Sequence, residues 1–278
     1  MRFFTLLLLG LIHLQAMAGS VLILDDEYGD EVSQHLQSAG HTVTSVTYFE
    51  WDGTNPAPDG FDLILLLNGY SYGDDFDEDG DSPAYDKLID YVRSGGTFMF
   101  TEWTAYDMAY TDPGVKQRLE PLVPFNVESY VDYDYGGTFT VSVASALSRG
   151  LPASFDANQD GEDGGVCIAL KAGARALMTR DFDYYSSEAT ECDQGGGHPG
   201  LVVYGVGQGT VVWFNSDLSH EDDYDTGPNH LKIISASVGY AVRADTILNP
   251  PPVPAIPLLG ISILASLLGF FGWRRLRS

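Results

Sequence analysis

Val21-Leu22-Ile23-Leu24 is a continuous apolar run, the pattern of a strand buried on both faces rather than of a half-exposed one. Asp25 and Asp26 end it. From Asp30 to Ala39 the apolar positions fall at helical spacing, and Gly40 closes the segment. His41 to Tyr48 alternates β-branched and polar residues as a second strand, and Asp62 to Leu67 is a third, stopping at Asn68-Gly69. Ser82 to Arg93 returns to helical spacing and ends at Ser94-Gly95-Gly96, after which Thr97 to Thr101 is a fourth strand. This β-α-β-β-α-β order predicts an α/β fold with a mainly parallel sheet and helices on both faces.

Beyond a helix predicted over Pro113 to Leu122 the pattern changes to short strands at Thr138–Ala144, Cys167–Leu170 and Ala174–Thr179. Leu201–Gly205 and Gly209–Phe214 flank Val206-Gly207-Gln208, which adds a β-hairpin. His230 to Val242 predicts a closing helix. No solenoid repeat interrupts the chain, so residues 19–245 read as one domain.

The two ends have a different pattern. Arg2, the apolar stretch Phe3–Leu14 and Ala16-Met17-Ala18 have the order of a signal peptide over residues 1–18. Residues 246–254 form a Pro-rich spacer. Ala255 to Trp273 is an uncharged stretch of 19 residues, followed by a basic tail at 274–278 with Arg274, Arg275 and Arg277. That length is near the ~20 residues of a spanning helix, and the arginines predict a cytoplasmic C-terminus. The expectation is an exported chain, at the cell envelope or surface, held as a single-pass protein through its C-terminal helix. The tripartite tail resembles the PEP-CTERM class of bacterial sorting signals, although Ala255 stands where that class carries Glu. The resemblance implies a sorting peptidase of exosortase type as a partner, and an extracellular polysaccharide setting.

Composition narrows the function. The chain has 278 residues, with 39 Asp plus Glu against 14 Lys plus Arg, and a net charge of −25. Nucleic acid is excluded as a partner, because binding phosphates needs clustered cations. All the acids lie between Asp25 and Asp245, so removing the two ends sharpens the excess. In an oxidising compartment the 2 cysteines, Cys167 and Cys192, predict a disulfide.

Several segments, in order, resemble the class I glutamine amidotransferase-like superfamily, and its ThuA-like branch in particular. They are Val21-Leu22-Ile23-Leu24-Asp25, Ala39-Gly40-His41, Phe61-Asp62-Leu63-Ile64, Tyr91-Val92-Arg93-Ser94-Gly95-Gly96-Thr97, Leu147-Ser148-Arg149-Gly150-Leu151-Pro152 and Tyr204-Gly205-Val206-Gly207-Gln208-Gly209-Thr210-Val211-Val212. The resemblance implies a flavodoxin-like sheet with its functional edge at the strand C-termini. The superfamily's enzymes place a Cys on a strand-to-helix elbow and a His and Glu two residues apart after a late strand. Here the elbow reads Phe98-Met99-Phe100-Thr101-Glu102-Trp103-Thr104 without Cys, and Asn215 and Asp217 stand where His and Glu would be. Asn is not a general base, so the Cys-His-Glu chemistry is absent.

Two kinds of site stay open. Asp25, Asp26, Asn68, Glu102, Asn215 and Asp217 all lie at strand ends, and Glu102, Asp217 and Asp25 would be the acid–base groups of a carbohydrate-active hydrolase. Asp and Asn are equally the ordinary capping residues of such turns. Two acidic loops have the D-x-D-x-D-G pattern of calcium sites. The first has Asp75, Asp77, Asp79, Asp81 and Asp86, with Gly80 at the turn; the second has Asp156, Asn158, Asp160 and Glu162, with Gly161. Ca2+ is the cofactor they would take, against the alternative of hydrated charge runs. Aromatic residues on loops (Tyr70, Tyr72, Trp103, Tyr106, Tyr110, Tyr130, Tyr133, Tyr135) either stack on ligands or fill the core. The leading expectation is a non-catalytic module, with the hydrolase as its rival.

Overall fold

A computed structural model of the chain describes residues 18–26, 29–68, 76, 83–110, 118–130, 133–157, 164–182, 197–216, 218 and 227–248. The chain divides into two units, Met1–Asp245 and Thr246–Ser278, and the first holds the sheet.

In chain order the elements are β1 (Ser20–Asp25), α1 (Asp30–Ser38), β2 (Thr42–Thr47), β3 (Leu63–Leu67), α2 (Ala84–Arg93), β4 (Thr97–Phe100) and α3 (Glu102–Tyr110). Then come β5 (Tyr133–Tyr135), β6 (Thr138–Val141), β7 (Ser154–Asp156), β8 (Gly164–Val166), β9 (Arg175–Asp181), β10 (His198–Val206), β11 (Gly209–Phe214) and α4 (Pro228–Leu248). Nine strands make one sheet in the order β2-β1-β3-β4-β11-β10-β9-β6-β7, while β5 and β8 pair separately. The β2-β1-β3-β4-β11 half is parallel. From β11 onward the pairings β11–β10, β10–β9, β9–β6 and β6–β7 are antiparallel. The sheet is therefore mixed: beyond β11, starting with the β10–β11 hairpin, each strand runs opposite to its neighbour.

The apolar runs form strands because both faces of the sheet are covered. Along β1, Leu22 and Leu24 point to one core and Val21 and Ile23 to the other, as the period of two requires. All five residues of β3 are buried. On one face the sheet packs against Leu88, Ile89 and Val92 of α2 and Ala105 and Met108 of α3. On the other it packs against Val32 and Leu36 of α1 and Ile233, Ile234 and Val238 of α4. The hairpin meets α2 so closely that a Cβ at Gly209 would lie 2.0 Å from the Val92 carbonyl oxygen and 2.3 Å from that of Gly96. Only glycine fits there.

Three local expectations change. Glu102–Tyr110 is helical, although the sequence pattern carried the chain from the fourth strand into a loop. The strand expected over Cys167–Leu170 runs instead over Gly164–Val166, and Leu170 makes only an isolated bridge with Phe125. Ser154–Asp156 is a strand, so the second acidic loop begins at a strand end. Of the helix expected over Pro113–Leu122, residues 113–117 lie outside the described residues, 118–119 are helical and 120–122 form a turn.

The membrane reading is corrected. Among the described residues no helix is long and apolar enough to cross a membrane. The most C-terminal described helix, α4, contains Lys232, Arg243 and Asp245 and turns Ile233, Ile234, Val238, Ala241 and Val242 to the sheet core. Its apolar stripe is used within the domain, as in an amphipathic helix of a folded protein. The signal-peptide stretch 1–17 and the tail 249–278, including the span expected over 255–273, lie outside the described residues. Anchoring through a C-terminal helix, and the single-pass cell-surface placement built on it, are therefore not carried forward.

Candidate functional site

The parallel strands β1, β3, β4 and β11 deliver Asp25-Asp26, Asn68, Thr101-Glu102 and Asn215-Ser216 at their C-terminal ends, the edge at which open α/β sheets bind ligands. Asp26, Asn68, Thr101, Glu102, Asn215 and Ser216 are all buried, and Asp25 is half-buried. Glu102 is 0 % exposed at the start of α3, one residue after β4, so no substrate reaches its carboxylate in this conformation. Asp217 lies outside the described residues.

Asn215, at the C-terminal end of β11, has its side chain committed to the backbone. Its Oδ1 accepts from the Val166 amide at 2.8 Å. Its Nδ2 donates to the Val166 carbonyl at 2.9 Å and to the Pro199 carbonyl at 2.7 Å. Both amide protons and one oxygen lone pair are thus used in tying the end of β11 to β8 and β10, at full burial. The backbone repeats the tie, since the Asn215 amide donates to the Gly200 carbonyl at 2.8 Å.

Behind this clamp sits Arg180, also 0 % exposed. Its Nη1 donates to the Asn215 carbonyl at 2.7 Å and to the Gly164 carbonyl. Nε and Nη2 both reach the Gly136 carbonyl, at 3.1 and 2.9 Å. The guanidinium carbon stands 5.0 Å from the Phe139 ring centroid and 4.7 Å from that of Phe182, within cation–π range. A Cβ on Gly165 would come within 2.5 Å of Arg180 Nη1, which explains the glycine at that position of β8. At the elbow, Trp213 is fully buried and donates its Nε1–H to the Thr101 carbonyl at 3.2 Å. The edge at β4 and β11 is therefore filled by Trp213, Asn215 and Arg180.

Polar groups also gather over β3. A small cavity of about 10 Å³, room for about one water, is lined by Tyr48, Leu66, Asn68, Phe76, Tyr85, Thr104, Asp107 and Leu119. Thr104 Oγ1 donates to Asn68 Oδ1 at 3.2 Å. Thr104 and Asp107 are one helical turn apart on α3, both buried, and they bring a hydroxyl and a carboxylate beside the Asn68 amide. Neither was singled out from the sequence. The available signal was the spacing of three between them, visible only once residues 102–110 are read as a helix.

His230 is a second buried polar group on the opposite face of the sheet. It belongs to the core stripe of α4 and is ringed by Phe139, Phe155 and Phe214, with centroids 6.1, 6.1 and 5.1 Å away. Neither ring nitrogen has a hydrogen-bond partner. Burial, with the nearby Arg180 charge, pushes its pKa down to about 3. It is a neutral core residue of α4.

The calcium expectation falls largely on undescribed residues: Asp75, Asp77, Asp79, Asp81, Asn158, Asp160 and Glu162 lie outside the described residues. Asp86 is exposed in the first turn of α2, and Asp156 is the last residue of β7. Among the described residues no group of three or more His, Cys, Asp or Glu side chains could hold a metal ion. Cys167 is disulfide-bonded, and no cysteine among the described residues is free. Cys192 is outside them.

No protein-family model matches the chain, and no curated protein matches it in sequence. Solved structures do match in shape. A ThuA-like protein from Parabacteroides merdae superposes with a TM-score of 0.54 at 14% identity, covering 86% of this chain and 94% of its own. A ThuA-like protein from Bacteroides uniformis gives 0.54 at 13%, covering 80% and 91%. A cytoplasmic protein from Salmonella typhimurium gives 0.55 at 14%, covering 82% and 99%. A second Salmonella protein of this shape is likewise described as cytoplasmic, so the similar structures give the extracellular, cell-surface and sorting-signal reading no support. What the chain shares with these proteins, at this identity, is the ThuA-like, class I glutamine amidotransferase-like fold.

Proposed function

We propose that this protein is a non-catalytic module on the amidotransferase-like fold, one that binds a ligand at the strand edge without transforming it. The observation that supports the reading best is Asn215. A base must present a free lone pair to its substrate or nucleophile, whereas both ends of this side chain are spent on Val166 and Pro199. Trp213 supports the same reading, because it is fully buried at the elbow and donates its Nε1–H to the Thr101 carbonyl, which closes that end of β4. The cavity at Asn68, Thr104 and Asp107 is a polar opening at this edge with room for about one water, so a ligand would place only a small polar group in it.

The rival is hydrolysis by carboxylates of the edge. The full burial of Glu102 weighs against it. The test is a turnover screen of the purified chain and its Glu102→Gln variant against glutamine, aryl esters and aryl glycosides. The proposal expects rates equal to buffer for both proteins. A turnover present in the wild type and lost in Glu102→Gln, with melting unchanged, would replace the module with an enzyme.

A further inference from the structure

Among the described residues the chain enters the sheet at Gly19, at the end opposite the strand-edge site. Ala18 is exposed, whereas Gly19 is buried and Ser20 opens β1, the strand between β2 and β3. The Gly19 carbonyl accepts from the Thr42 amide at 2.9 Å, and the Ser20 carbonyl accepts from the Asp62 amide at 2.9 Å. The Gly19 amide donates to His41 Nδ1 at 3.1 Å. Asp62 Oδ2 accepts from the Ser20 amide at 2.7 Å and from Ser20 Oγ at 3.0 Å. A Cβ on Gly19 would lie 2.8 Å from Val238 Cγ1 and Val242 Cγ2, and 3.5 Å from Asp62 Oδ2. Helix α4 therefore closes over this residue, and the Asp62 carboxylate stands beside it.

Gly19 is also the residue before which the sequence carries a cleavage pattern. Arg2, the apolar stretch Phe3–Leu14 and the small residues Ala16 and Ala18 have the order of a removable leader that ends at Ala18. Motif and fold are independent observations, and they agree to the residue. Cleavage needs exposed, unbonded backbone on both sides of the cut. Here the C-terminal side is a central strand bonded to β2 and β3, so the cut has to precede the entry of β1 into the sheet. Cutting turns the Gly19 amide into an α-ammonium, a cation near neutral pH. The surroundings suit a cation. His41 is held below its ordinary pKa by burial and by His35, against the pull of Asp62, so its Nδ1 stays an acceptor. Among the described residues no Lys or Arg pairs with the half-buried Asp62, which leaves its charge for the new terminus.

We propose that the chain is processed between Ala18 and Gly19, and that the Gly19 α-ammonium formed by the cut docks against His41 and Asp62. For the test, the full chain is expressed in a bacterial host with an active leader peptidase, and the purified protein is read by intact mass and N-terminal sequencing. The expected first residue is Gly19. Ala18→Phe, which puts a bulky side chain before the cut at an exposed position, is expected to keep residues 1–18. Docking is read by amine-reactive labelling of Gly19 near neutral pH, located by peptide mass spectrometry. The folded wild type is expected to label on the order of tenfold more slowly than the same protein in urea. Asp62→Asn keeps the shape and an acceptor for Ser20, and is expected to lose most of that protection with an unchanged circular dichroism spectrum. A protein that still begins at Met1, or at any residue other than Gly19, would overturn the processing. A Gly19 amine that labels as fast folded as in urea, or unchanged protection in Asp62→Asn, would overturn the docking.

Discussion

His230 makes the acid sensitivity of this fold calculable. The perturbation is protonation of an imidazole fully enclosed by Phe139, Phe155 and Phe214, with Arg180 as the charge that faces it. Its folded pKa of about 3 lies below the ordinary value of 6.5, so between these two values the unfolded chain binds more protons than the folded one. Stability from this group is therefore fully present above the unfolded pKa and falls as pH drops toward the folded pKa, where the loss levels off. The full difference amounts to about 5 kcal/mol, of which about 2 kcal/mol is already lost near pH 5. The assay is urea unfolding of the wild type and His230→Leu at several values from about pH 7.5 to about pH 5. Carboxylates and the other histidines titrate in both proteins and cancel in the difference. The stability difference, wild type minus variant, is expected to fall by about 2 kcal/mol over that range, whatever its offset at neutral pH. A difference that stays flat, or rises as pH falls, would refute the assignment of His230 as a neutral core residue.

Three further outcomes follow from the packing. Arg180→Met leaves the Gly136, Gly164 and Asn215 carbonyls without their buried donor, and is expected to cost about 3–5 kcal/mol in urea unfolding. Gly209→Ala places a methyl group 2.0 Å from the Val92 carbonyl, and the forced shift of α2 against the hairpin is expected to lower Tm by several degrees, roughly 1–3 kcal/mol. Leu65→Ala in the fully buried β3 is expected to lose about 2–5 kcal/mol, read as a lower urea midpoint at unchanged slope.

Much of the architecture was legible because a continuous apolar run has few uses. Val21–Leu24 and Asp62–Leu67 became central strands, and the Gly207 turn became the hairpin that ends the parallel half. The run of α4 was legible for the same reason, since His230, Ile233, Ile234, Ser237, Val238 and Val242 share one helical face. Helix α3 was not. It starts one residue after β4 with no loop between, and Trp, Thr and Tyr give it weak helical propensity. That omission hid Thr104 and Asp107 from the site. Asn215 was visible as a replaced base, but its meaning depends on partners 49 and 16 residues away in sequence. Arg180 gave no signal, because an arginine within a strand ordinarily points to solvent. The apolar stretches at the two ends lie outside the described residues, and among the described residues no helix is long and apolar enough to cross a membrane.

The stability of Asn215→Ala, set beside that of Asn215→Asp, tests the proposed clamp role of Asn215 most directly. Ala removes all three side-chain bonds to Val166 and Pro199, whereas Asp keeps the shape and an acceptor but loses both donated protons and buries a charge. The clamp reading expects both variants to lose at least about 2 kcal/mol in urea unfolding, with no turnover to lose in either. Wild-type stability in both variants, accompanied by loss of a catalytic rate, would contradict it.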